Sequence, residues 1–67
     1  MSEPPLLARA RLLLTPREFD AFELATLGLS RRQTAFVLGV SASTIRERLV
    51  RARGKLGIVV DEQEEAA

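Results

Sequence analysis

Apolar residues recur at helical spacing in three stretches of the chain. Leu6, Leu7, Ala10, Leu13 and Leu14 repeat every three or four positions, with Arg9 and Arg11 outward. Pro4-Pro5 suits a first helical turn, so the spacing predicts a short helix over 5–13, with an extended arm as the alternative. That segment ends where Thr15 precedes Pro16, because a residue before proline is pushed out of the helical region. Ala21, Phe22, Leu24 and Ala25 form the inward face of a second helix, running to about Leu27 and closed by Gly28. A third helix is expected over 31–38, ending at Gly39, and a fourth over 42–56, ending near Leu56-Gly57. In the fourth, Ile45, Leu49, Ala52 and Leu56 fall in one narrow stripe at about 100° per residue. No strand-period segment is convincing, Ile58-Val59-Val60 is too short to pair alone, and there are no internal repeats.

Local chemistry marks the same boundaries. Thr15-Pro16-Arg17-Glu18 has a hydroxyl to cap, a proline at the first helical position and a glutamate three residues after the cap, which together make a capping box. Ser30 and Gln33 make a second box, and Ser41, with Thr44 three residues on, caps the fourth helix. Gly54 weakens that helix's last turn by roughly 1 kcal/mol against alanine. The class expected is all-α: a small helical bundle with a tri-helical helix-turn-helix core and a short N-terminal helix. The expected organisation is an N-terminal arm or helix over 1–14, a helix-turn-helix domain over 15–58 and an acidic tail over 59–67, with Met1–Glu3 mobile.

The outer face of helix 42–56 points to a function. Arg46 and Arg53 lie along one flank, Arg48 and Lys55 along the other, and Ser43, Glu47, Val50, Arg51 and Gly54 lie between. Two basic flanks around a mixed centre suit a DNA major groove, where phosphates form the walls and base edges the floor. A solvated amphipathic helix with surface arginines is the plainer reading of this segment alone. The preceding helix shifts the balance, because a helix, a tight turn at Gly39-Val40 and a second helix is the layout in which the second helix enters the groove. The first of the two begins Arg31-Arg32, and Ser30, Ser41, Ser43 and Thr44 add hydroxyls at helix N-termini, which suit phosphate.

Composition and charge narrow the rest. Sixty-seven residues make one small domain with little room for a catalytic cavity. The chain has no cysteine and no histidine, so disulfides and the usual zinc sites are excluded. No apolar run is long enough for a membrane span and no secretory signal is visible, so a cytoplasmic protein is expected. The net charge of +1 hides an asymmetry: residues 1–60 carry ten positive against five negative charges, while Asp61, Glu62, Glu64 and Glu65 give the end of the chain −4. A basic body suits nucleic acid, and an acidic tail either competes with it or only solubilises the terminus.

The fragments Leu14-Thr15-Pro16-Arg17-Glu18, Gly28-Leu29-Ser30, Leu38-Gly39-Val40-Ser41, Thr44-Ile45-Arg46 and Lys55-Leu56-Gly57-Ile58 resemble, in register and without a gap, the LuxR-type (GerE-like) helix-turn-helix over residues 14–58. The span Thr44–Arg53 is also similar to region 4 of extracytoplasmic-function sigma factors, whose recognition helices are likewise arginine-rich. Both likenesses imply a tri-helical DNA-binding domain. The LuxR-type likeness implies base contacts at Arg46, Glu47 and Val50, which agrees with the helical wheel, where Glu47 and Val50 lie in the centre of the outer face and Arg46 on its flank. Arg46 then meets guanine or a flanking phosphate, Glu47 accepts from cytosine N4, and Val50 packs on a thymine methyl. Glu47 has an equal alternative as an intrahelical partner of Arg51. Backbone contacts are expected from Arg31, Arg32, Ser41, Ser43, Thr44, Arg48, Arg51, Arg53 and Lys55.

Three departures from the LuxR-type pattern matter. Only Ile58–Ala67 stands where a dimerising fourth helix would follow Gly57. Phe36 and Val37 replace exposed polar or basic residues, and Phe19 and Leu27 lie at the margin of an apolar face. Either the N-terminal leucines or Val59 and Val60 fold over these side chains, or Phe19, Leu27, Phe36 and Val37 form a partner surface. The function expected is a sequence-specific double-stranded DNA-binding protein, a small transcriptional regulator; the alternative is a protein-interaction module on RNA polymerase or another regulator. A homodimer would help so small a core. No cofactor, membrane partner or enzymatic activity is expected, since no paired carboxylates or phosphate loop are present.

Overall fold

The computed structural model describes residues 4–58. The expectations placed on Met1–Glu3, on Val59 and Val60 and on the acidic tail lie outside these residues. Four helices follow in order: α1 (Pro5–Leu13), α2 (Pro16–Thr26), α3 (Arg31–Leu38) and α4 (Ala42–Leu56). No strand occurs among the described residues.

α2, α3 and α4 each start where a side chain replaces the missing intrahelical acceptors, whereas α1 opens at Pro4-Pro5 without a side-chain cap. The Thr15 hydroxyl accepts from the Glu18 N–H at 3.3 Å, and Glu18 Oε1 accepts from the Thr15 N–H at 3.0 Å. Ser30 and Gln33 repeat the reciprocal pair at 3.1 and 2.8 Å. Ser41 accepts from the Thr44 N–H at 3.1 Å, with the two hydroxyl oxygens 3.0 Å apart. The ends of α2, α3 and α4 share one device. Gly28, Gly39 and Gly57 adopt positive φ, and the next amide (Leu29, Val40, Ile58) donates back to the carbonyl of Leu24, Ala35 or Arg53.

α4 is the centre of the bundle. It packs against α1, α2 and α3, whereas α1 reaches only α2 and α4. The stripe Ile45, Leu49, Ala52 and Leu56 is buried throughout its length, against Ala10, Leu14, Phe19, Ala21, Phe22 and Ala35. Val40 closes the corner between α3 and α4 from the edge of this core, as Leu7, Ala25 and Leu38 do elsewhere. The choice between a helix and an extended arm at 5–13 thus falls to the helix. Ala10 is fully buried and Leu14 nearly so, which requires the helical face.

That docking corrects one expectation. Phe19 is only 8 % exposed and belongs to the core, not to a partner surface. α1 covers it: the Arg11 guanidinium lies 4.5 Å from its ring centroid, and the same guanidinium approaches Glu23 Oε2 at 3.9 Å. Leu27, Phe36 and Val37 stay exposed.

Candidate nucleic-acid interface

With four apolar residues of α4 turned inward, the opposite face is left to solvent. Arg46, Glu47, Val50, Arg51 and Gly54 are all exposed along it, and Arg48 and Arg53 are half-buried at its margins. Fifteen residues make a rod of about 22 Å, and a helix of about 10–12 Å diameter enters a B-DNA major groove about 12 Å wide. Ser43 is exposed in the first turn of α4, beside the exposed cap Ser41, while the half-buried Thr44 turns its hydroxyl toward Ser41.

The fold brings α3 to the first flank. Arg53 lies close enough to Arg31, in the first turn of α3, for the two guanidiniums to repel. Burial first, and then Arg31, push the Arg53 guanidinium below the ordinary arginine range. The two guanidiniums gather positive charge along this edge. Arg32, next to Arg31, is exposed. Residues from two helices, 22 positions apart in sequence, thereby form one basic edge.

The second flank differs from expectation. Lys55 does not reach out from α4 alone; its Nζ donates to Glu18 Oε1 at 2.7 Å, across to the first turn of α2. Glu18 is 7 % exposed. Lys55 first, and then the Thr15 N–H, hold its carboxyl below the usual carboxylate range, against burial, which acts the other way. The capping role of Glu18 is visible in the sequence, but its hold on Lys55 is not. An acid where glutamine serves equally well as a cap is the one available signal.

A separate apolar area lies on α3. Thr34, Ala35 and Leu38 face the core, so Phe36 and Val37 point away from it, 89 % and 59 % exposed. With Leu29, Arg32 and Gln33 they line a shallow open concavity. Leu27, at the end of α2, is 70 % exposed.

Two helices joined by a left-handed glycine turn, packed over a third and presenting a basic outer face on the last, define a helix-turn-helix domain of the DNA-binding type. The chain matches the family model of sigma-70, region 4, over residues 6–56, from the second residue of α1 to the last of α4. It belongs to that family. The match agrees with the sigma likeness of Thr44–Arg53 and extends it to all four helices; the LuxR-type likeness rests on the sequence fragments alone. No curated protein and no solved structure matches the chain. No helix among the described residues is long and apolar enough to cross a membrane.

Proposed function

We propose that this protein is a sequence-specific double-stranded DNA-binding protein, a small cytoplasmic transcriptional regulator that inserts α4 in the major groove. The observation that carries the reading is the outer face of α4, continuous with the Arg31–Arg53 edge and backed by a fully apolar inner stripe. Arg46, Glu47 and Val50 read bases, as the LuxR-type likeness also implies. Arg31, Arg32, Ser41, Ser43, Thr44, Arg48, Arg51 and Arg53 hold phosphates, with the N-termini of α3 and α4 beside them.

Binding to random duplex DNA over a series of salt concentrations tests the class of function. Phosphate neutralisation by several of these arginines predicts a steep linear fall of log affinity with log salt. A flat response sinks the proposal. Selection of bound genomic fragments then gives the site, and half-sites about one helical turn apart would establish a dimer on DNA.

One observation favours a second reading. The exposed Leu27, Phe36 and Val37 suit a protein partner, such as RNA polymerase or another regulator, contacted by the same fold. Loss of partner binding in Phe36→Glu, with duplex binding retained, would support this role beside the first. If Phe36→Glu leaves every protein interaction intact, this second reading is wrong.

A further inference from the structure

α2 and α3 open with the same reciprocal capping box, yet the third residue differs. Gln33 completes the box of α3 with a neutral amide on an exposed site, at 2.8 Å from the Ser30 N–H. The box of α2 therefore needs no charge. It carries one nevertheless, on Glu18, which is nearly buried, where an ionised carboxylate is costly unless it is paired. Its Oε1 accepts from the Thr15 N–H at 3.0 Å and from Lys55 Nζ at 2.7 Å. One oxygen thus joins the first turn of α2 to the last turn of α4, 37 residues away. Lys55 precedes the buried Leu56 and follows Gly54, the residue that most weakens this turn.

We propose that Glu18 is a positioning residue for the recognition helix: by holding Lys55 it fixes the C-terminal half of α4 against α2, and so sets the angle at which Arg46, Glu47 and Val50 meet DNA. This rests on the DNA-binding reading of α4. Side chains that recognise a ligand must be held to about 0.5 Å and 10–20°, by packing and by supporting hydrogen bonds from the surrounding residues. It follows that Lys55 acts inside the protein rather than on a phosphate.

Three variants separate the possibilities. Glu18→Gln keeps the cap, as Gln33 does in α3, and removes the ion pair. Lys55→Met keeps the stem and removes the charge, and Lys55→Arg restores the charge. Affinity for a selected site and for random duplex, each as a function of salt, is measured on all three and on the parent, with helicity followed by circular dichroism. Positioning predicts that Glu18→Gln and Lys55→Met each lower the ratio of specific to random affinity by roughly three- to thirtyfold at unchanged helicity. Their salt slope should match the parent's, and Lys55→Arg should recover the ratio. The opposite pattern overturns the proposal. If Lys55 contacts phosphate, Lys55→Met flattens the slope by about one unit, while Glu18→Gln frees the lysine and tightens binding to every sequence. A ratio unchanged in both variants overturns it equally. If the parent binds no DNA, the DNA reading fails on its own. Amide shifts then decide the positioning: Glu18→Gln must move the resonances of residues 53–57, and if they stay still the link to α4 is refuted.

Discussion

At the scale of single residues, the arginines of α4 divide by where the fold puts them. Arg51 lies on the open outer face. Arg51→Ala should weaken binding to all duplexes alike and flatten the salt slope by about one unit in an anisotropy titration. A change confined to the preferred site would instead make Arg51 a base reader. Glu18 gives the corresponding prediction for the folded state. Its pKa is lowered on folding, so between the folded and unfolded values the unfolded chain binds more protons, and stability rises with pH there. The contribution is complete above the ordinary glutamate value of about 4.3 and is lost as pH falls through the lower, folded value. The melting temperature of Glu18→Gln should therefore fall less than the parent's between about pH 6 and pH 3. Because Lys55 is partly exposed, solvent screens the pair and the difference should be small. The contact between Glu18 and Lys55 is not legible in the chain, since no local rule connects residues 37 positions apart.

The elements themselves were legible, and for a local reason. Thr15, Ser30, Ser41 and the glycines after α2, α3 and α4 act within four or five residues of where they stand, so sequence suffices to place the boundaries. Two glycines show how the same residue type acts in opposite senses. Gly39 sits at φ +71 with open space where a Cβ would go, so its constraint is conformational, not steric. Gly39→Ala should cost about 1–2 kcal/mol, which in a domain of this size lowers Tm by about 4–8 °C per kcal/mol. Gly54 lies inside α4 without a positive φ, again with nothing near its Cβ position. Gly54→Ala should stabilise the fold by up to about 1 kcal/mol, seen as a higher Tm. Gly54 also lies at the centre of the outer face, so the variant doubles as a probe. If it melts higher yet binds duplex more weakly, the DNA backbone passes close to this turn.

At the scale of the whole molecule, the position of α1 was the point that sequence left open. Its periodicity is clear, but the decision between covering Phe19 and leaving it exposed depends on how three helices dock, and that lies in packing rather than in any window of sequence. A division at residue 14 treats α1 as an appendage to a complete domain over 15–58. The packing argues otherwise. Ala10 and Leu14 are core residues, Arg11 lies over the Phe19 ring, and α1 touches both α2 and α4. Deleting residues 1–13 would uncover Phe19 and one side of α4, and the largest fully buried side chains among the described residues are only Ile45 and Thr34. So small a core has about 3–5 kcal/mol to lose, and exposing one aromatic and its neighbours removes much of that at about 25 cal/mol per Å². The truncated chain should therefore melt without a cooperative transition at 25 °C, with circular dichroism showing reduced helicity. Duplex at saturating concentration should partly restore that helicity, because a ligand that binds only the folded state shifts the balance by mass action. A truncated chain that melts cooperatively near the parent's temperature would instead return α1 to the status of an arm.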